Sequence, residues 1–212
     1  MSKKEGMTKR KVMDAATFLF NTKGFHGTSV RAIAEKANIN VSLISYYFGG
    51  KQGLLENLMT DYLEGYLHTL EKEAERLTEL GARRTLLNIM ESSLEYMQKN
   101  HQRSRFVLRE MTLDSVLVRE LMSTYFMKEK HMYSLVIQHG IKQGIFARAP
   151  LDWTVMYVRG MVTMPFLHPQ YIREVFHLQP QESYFLKVYL KELSHWVDHH
   201  LIHDIETSAA SL

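Results

Sequence analysis

The chain has 212 residues, of which 45% are hydrophobic and 23% charged, with a formal net charge of +3. These values fit one or two globular domains and exclude collagen-like, low-complexity and wholly disordered chains. Cysteine is absent, which excludes disulfides, thiolate metal sites and cysteine nucleophiles and suits a reducing cytoplasm.

No apolar run approaches the ~20 residues of a membrane helix. The opening Met1-Ser-Lys-Lys-Glu-Gly6 lacks the apolar segment of a secretion signal. A cytoplasmic, nucleoid-associated protein with no membrane partner is expected. The charge is unevenly spread. Residues 1–51 hold nine Lys/Arg and three Asp/Glu, a net of +6, which leaves −3 for the rest. A basic head on a slightly acidic body is the electrostatic footprint of a nucleic-acid binder.

In chain order, Lys3 to Lys11 reads as a loose basic arm that can touch phosphate or the minor groove. It leads into a helix from about Thr8 to Lys23 that Gly24 ends. Next come Val30, Ile33, Ala34 and Ala37 at helical spacing, with Thr28 or Ser29 as N-cap. Asn38-Ile39-Asn40 is a turn. Asn38 tolerates a left-handed backbone, Ile39 is an apolar anchor, and Asn40 is a good cap for a second helix. That short helix buries Ile44 and Phe48 and is stopped by Gly49-Gly50. It presents Val41, Ser42, Ser45 and Tyr46 to solvent. The pattern is a helix-turn-helix, whose second helix suits a DNA major groove.

A long helix is expected from near Lys51 to about Thr78, with an apolar stripe from Leu54 to Leu70 and a break at Gly81. An amphipathic helix comes next over 82–99, then a polar connector over 100–104 and a short helix from Phe106 to Met111. Asp114 or Ser115 caps a long helix reaching about Gln143. The segment from Asp152 to Met164 is a mostly apolar helix ended by Pro165. The stretch from His168 to Pro180 is a connector with room for one helical turn. The last helix runs from about Gln181 to His203 and is apolar round most of its circumference. A surface helix needs only one apolar stripe. A homodimer is therefore expected, in which this helix and that of 152–164 pair with their twins about a twofold axis.

Residues 11–55 resemble the DNA-binding head of TetR-type regulators. The likeness is carried by Val12, Ala15, Ala16, Leu19, Phe20 and Gly24, by Thr28-Ser-Val-Arg-Ala-Ile-Ala34, and by Tyr46-Tyr-Phe-Gly-Gly-Lys-Gln-Gly-Leu-Leu55. Gly140-Ile-Lys-Gln-Gly-Ile-Phe146 extends it loosely into the body. Two departures stand out: Asn38 replaces the usual turn glycine, and Ser45 sits where many members carry Tyr. The resemblance implies an all-α, TetR-like chain, with a helix-turn-helix domain at residues 1–50 and a helical dimerisation and regulatory domain at 51–212. It also implies that Tyr47 and Lys51, which flank Phe-Gly-Gly, grip phosphate.

Phosphate contacts set register and base contacts set sequence. Candidates for phosphate are Thr28, Ser29, Tyr47 and Lys51, then Arg31 and the arm. Thr28 and Ser29 sit at a helix N-terminus, which favours anions. Candidates for bases are Asn40, Ser42, Ser45 and Tyr46. One of Tyr46 and Tyr47 is expected to be partly buried. A dimer reads near-palindromic double-stranded DNA, with half-sites ~34–36 Å apart.

His195, His199 and His203 share a helical face near Asp198 and Asp204. Such a face can take zinc, but short histidine tracts are compositional hints, and polar residues at the rim of the dimer interface are the better reading. No metal or cofactor is expected. There is no phosphate-cradling glycine loop, no Gly-x-Ser-x-Gly and no His-Glu-x-x-His, so no enzyme is expected.

Two outputs remain open for the body. Thirteen methionines and many aromatics, such as Met90, Met97, Phe106, Tyr125, Met132 and Tyr157, can line the small-molecule pocket that TetR-type bodies commonly hold. No convergent polar cluster to select a ligand is visible. Alternatively, Leu43-Ile-Ser-Tyr-Tyr-Phe-Gly-Gly-Lys51 and Ser104-Arg-Phe-Val-Leu-Arg-Glu-Met111, continuing to Val118-Arg-Glu120, resemble the TetR-type regulators of cell division in spore-forming Bacillus relatives. That resemblance implies DNA-bound dimers acting on the tubulin-like division protein FtsZ. Glu56, Glu64, Arg105, Glu110, Arg119 and Glu120 are the candidate partner surface.

Overall fold

The computed structural model describes residues 3–202. Among them are eleven α-helices: α1 (Lys3–Lys23), α2 (Val30–Ala37), α3 (Ser42–Phe48), α4 (Lys51–Ala74), α5 (Leu77–Lys99), α6 (His101–Glu110), α7 (Val116–Leu121), α8 (Met127–Lys142), α9 (Leu151–Leu167), α10 (Pro169–Phe176) and α11 (Ser183–His200). A π-helical turn, Met122–Phe126, lies between α7 and α8. The chain packs as two compact units. One comprises the residues up to Glu64 together with Gln102–Leu121, the other Gly65–His101 with the residues from Met122 onward. The head foreseen over residues 1–50 thus lies inside a larger packing unit that also holds the start of α4, nearly all of α6, and α7.

In the first unit Phe20, Ile33, Ile44, Leu54, Leu58 and Phe106 are fully buried. Phe20 stacks on Phe106 with ring centroids 5.3 Å apart. Each such side chain contributes about 1.5–3 kcal/mol by leaving water. Polar bonds then fasten α6 to the head. Arg103 donates to Asp14 of α1 at 2.8 Å and to Asp61 of α4 at 3.0 Å. Tyr62 donates to the Ser104 hydroxyl at 2.9 Å, and Arg109 donates to the Phe20 carbonyl at 3.1 Å.

Two boundaries in this unit differ from those expected. Helix α1 begins at Lys3, so the basic arm is helical. Glu5 in its first turn favours the helix dipole and pairs with Lys9 one turn on, at 3.6 Å. Helix α6 begins at His101, because the polar stretch 101–104 is its first turn rather than a connector. His101 and Gln102 face solvent and Ser104 faces the core.

In the second unit Gly81 takes φ +75°, ψ 164° and breaks α5 near its start, as the sequence indicates. The expected uninterrupted helix over 115–143 is divided by the π turn. Its start is as expected, since the Ser115 hydroxyl accepts the Val118 N–H at 3.2 Å. Gly140 lies where any Cβ would collide with the Phe146 ring and with Ala82.

Helix α9 runs through Pro165 instead of ending before it. Proline has no N–H for the carbonyl four residues back. That carbonyl, on Met161, accepts instead from the Tyr189 hydroxyl of α11 at 2.8 Å. The connector from His168 is an eight-residue helix, α10, closed by His177 at φ +56°. Helix α11 ends at His200, and Arg83 of α5 grips its Asp198 with two bonds of 2.6 and 2.7 Å. His203 and Asp204 lie outside the described residues.

Candidate nucleic-acid interface

The helix-turn-helix is built by local chemistry. Ser29, in extended backbone, accepts the Ala32 N–H on its hydroxyl at 3.1 Å and caps α2. Asn38 takes φ +53°, ψ 55° at the other end. Its N–H reaches the Glu35 carbonyl, and the Ile39 N–H reaches that of Ala34, both at 3.0 Å. This is a Schellman closure, with Asn in the place glycine usually takes. Ile39 is half-buried. The Asn40 side-chain oxygen then accepts both the Ser42 N–H, at 2.9 Å, and the Ser42 hydroxyl, at 2.8 Å. Asn40 thus caps the next helix, as expected, one residue before its formal N-cap, Val41.

Helix α3 buries Ile44 and Phe48. Gly49, at φ +72°, ends it, donating its N–H to the Ser45 carbonyl at 2.9 Å. A Cβ at Gly53 would strike the Phe48 carbonyl oxygen, so glycine there lets α4 start hard against the end of α3. Ser42, Ser45 and Tyr46, spaced i, i+3, i+4, share the outward face of α3. Ser45 and Tyr46 are exposed and Ser42 is exposed beside them, with Tyr46 at 79%. Tyr47 is half-buried, with its ring edge against Tyr46 at 5.0 Å and the Lys9 ammonium 5.3 Å above it. Ser29 and Arg31 are exposed at the start of α2.

Thr28 and Lys51 lie differently from the other candidates. Thr28 is buried and donates its hydroxyl to the Gly24 carbonyl at 2.8 Å. Lys51 donates to the carbonyls of Phe25 and Thr28 at 3.0 and 2.9 Å and sits over the Phe25 ring at 4.4 Å. Both hold the loop that leads into α2.

Of the candidate partner positions, Glu56, Glu64, Arg119 and Glu120 are exposed, and Arg105 is half-buried. Arg119 pairs with Asp114. Glu110 must be corrected: it is 9% exposed, turned inward beside Arg109 at 3.7 Å. Burial raises its carboxyl above the usual range, against the pull of Arg109 and His26. Helical spacing alone could not show which turn of α6 faces the core.

The body does hold a convergent polar cluster, contrary to expectation. Glu129 is 1% exposed. Its carboxylate accepts from the Tyr66 hydroxyl and from Arg159 Nε, each at 2.8 Å. The Arg159 guanidinium lies 4.3 Å over the Phe126 ring. The Ser93 and Tyr133 hydroxyls are fully buried beside Tyr66 in the same cluster. Burial and then the Glu129 charge push the Tyr66 hydroxyl well above its ordinary value. The carboxylate and the guanidinium are thirty residues apart on different helices, so no motif signals them. Elsewhere, the His195 and His199 rings lie 3.9 Å apart, and Asp198 is turned to Arg83.

Residues 12–58 match the model of bacterial regulatory proteins of the tetR family. The chain is 46% identical over 190 residues, 90% of its own length and 92% of the other's, to the "Probable HTH-type transcriptional regulator YttP" of Bacillus subtilis (strain 168). The structure resembles that of the TetR family transcriptional regulator PfmR from Thermus thermophilus, with a TM-score of 0.75 at 18% identity over 91% of this chain and 99% of that one. It also resembles a tetR-family bacterial regulatory protein from Rhodococcus, with a TM-score of 0.75 at 14% identity over 93% and 98% of the two chains. At such identities the structural likeness speaks for the fold.

Proposed function

The chain belongs to the TetR family of DNA-binding bacterial transcriptional regulators, and from that premise we propose that it is a sequence-specific homodimer on near-palindromic double-stranded DNA, acting when bound on FtsZ-based cell division. The observation that carries the DNA reading is the outward face of α3. Ser42, Ser45 and Tyr46 project from a helix whose start, end and back are fixed by Asn40, Gly49 and the Ile44–Phe48 pair. Ser29, Arg31 and Tyr47 flank it as phosphate contacts. Thr28 and Lys51 act by positioning the loop beneath.

The dimer reading is supported by α9 and α11. Trp153, Met156 and Tyr157 are each more than half exposed on α9, and Tyr184 and Val188 are exposed on α11. An apolar face of that extent marks an interaction surface, and a second copy covers it by twofold symmetry.

The division reading rests on the likeness of residues 43–51 and 104–120 to RefZ, the regulator of FtsZ in Bacillus and its relatives. Supporting it, Glu56, Glu64, Arg119 and Glu120 are exposed in the same compact unit that carries α3. A partner held there can sense whether the head is on DNA. The test has two arms. Genome-wide mapping of bound sites is expected to return several sites rather than one promoter. Light scattering of FtsZ polymers is expected to change on adding the DNA-bound protein and to stay unchanged with a Glu64→Lys, Arg119→Glu variant. A single promoter site and no effect on FtsZ would end this reading.

The Glu129 cluster favours a second reading, a ligand-responsive repressor. A buried carboxylate, guanidinium and tyrosine hydroxyls gathered in one helical body are uncommon outside functional sites. Release of DNA on adding a metabolite fraction would support it.

A further inference from the structure

The last turns of α11 carry a pair of imidazoles that the DNA reading does not use. His195 and His199 are both exposed. They lie one turn apart and so share a face of the helix. Their rings stand 3.9 Å apart at a tilt of 35°. His199 Nδ1 is 2.8 Å from the His195 carbonyl oxygen. A carbonyl only accepts, so Nδ1 carries the proton and Nε2, at the outer end of the ring, keeps its lone pair. Metal-bound histidines commonly make this backbone contact, which fixes the tautomer and orients the ring. Asp198, between the two histidines in sequence, is held by Arg83 at 2.6 and 2.7 Å. Among the described residues no set of three ligating side chains forms. The pair is therefore a two-point chelate with its other positions open.

We propose that His195 and His199 chelate a divalent transition-metal ion of the zinc, nickel or copper class, with water in the remaining positions. Two histidines four residues apart on one helical face are the spacing at which zinc-binding helices present a ligand pair. An ion at ~2.0–2.1 Å from both nitrogens needs them ~3.3 Å apart, which is within reach of rings already 3.9 Å apart. Imidazole nitrogen selects these ions over magnesium and calcium, which take oxygen ligands. The bound ion bridges two successive turns of α11, beside the Arg83–Asp198 tie that fastens this helix to α5. The site stands independently of the DNA, division and ligand-responsive readings.

The test uses the full, untagged chain labelled with ¹⁵N-histidine. Zinc chloride is the probe and magnesium chloride the control. A saturable shift of the His199 Nε2 signal is expected with zinc alone, together with a melting temperature that rises with zinc concentration. His195→Gln or His199→Gln should each lower the affinity about tenfold or more, since even disturbing an outer partner of a metal ligand costs ~10–100-fold. His200→Gln should leave binding as it is, because that ring is stacked on Trp196 and its Nδ1 is on the Trp196 carbonyl. His203→Gln should also leave the site saturable. Melting of each variant without metal reports that it is folded. No saturable shift, an equal response to magnesium, or a loss as large with His200→Gln or His203→Gln as with the pair would overturn the proposal.

Discussion

Lys51 donates its ammonium hydrogens to the Thr28 carbonyl at 2.9 Å, so that the first residue of α4 holds the residue before the α2 cap. A second bond, to Phe25 at 3.0 Å, fixes the middle of the same loop. A lysine beside the recognition helix invites a phosphate role, but two of its three donors are occupied inside the protein. Lys51→Met keeps the apolar stem and deletes the ammonium. It is expected to lower stability by ~1–3 kcal/mol, as for hydrogen bonds from a charged group, and to weaken DNA binding through a loosened α2 start. The salt dependence of binding should keep its slope. A slope reduced by about one charge would show that the ammonium reaches a phosphate after all.

Tyr46 is 79% exposed, and its ring meets the edge of the Tyr47 ring. Removing it should therefore leave the fold alone. For Tyr46→Ala we expect a stability change within ~0.5 kcal/mol, as for exposed positions in general. The loss on operator DNA should be ~1–3 kcal/mol, the scale of one base-discriminating contact, with little loss on random-sequence DNA. Fluorescence anisotropy on both DNAs decides the matter. Equal losses on the two would make Tyr46 a phosphate contact.

The head was legible because its determinants are local. Ile33, Ala34 and Ala37 mark one face of α2, Ile44 and Phe48 mark that of α3, and Asn38 sits in the left-handed turn its side chain tolerates. What was hidden depends on partners far along the chain. Arg103 meets Asp61 and Asp14, 42 and 89 positions away, and without those carboxylates its turn of α6 reads as a polar connector. Pro165 reads as a helix end unless Tyr189 is known to stand by the Met161 carbonyl. Glu110 reads as surface because nearly all glutamates are.

Glu129 and Arg159 tie α8 to α9 at 2.8 Å, and Tyr66 brings α4 to the same carboxylate. The carboxylate is inside and the guanidinium is about one-third exposed. Removing the arginine strands the charge that cannot reach water. Arg159→Met is expected to cost ~3–5 kcal/mol, the scale for breaking a buried pair. Adding Glu129→Gln should restore part of that, because the neutral amide needs no counter-charge. Denaturant unfolding of both single variants and the double one measures the coupling. Simple additivity would mean that the pair acts as two independent surface groups.

Tyr189 stabilises the fold in a way that alkaline pH can expose. Burial pushes its hydroxyl up to about 12 from an ordinary 10.0, and its proton is the one donated to Met161. Below pH 10 the folded and unfolded chains both keep that proton, and the stabilisation is complete. Between pH 10 and 12 the unfolded chain gives it up while the folded chain still holds it, so stability must fall as pH rises. Tyr189→Phe should cost ~1 kcal/mol at neutral pH by leaving the Met161 carbonyl without its donor. Its stability should then decline less steeply above pH 10 than that of the parent, so the two curves converge. The residual slope belongs to Tyr66 and Tyr133, both also raised by burial. Urea unfolding at a series of pH values from 8 upward measures both curves, and a gap that stays constant past pH 10 would detach the Tyr189 proton from the Met161 carbonyl that Pro165 leaves without a helical donor.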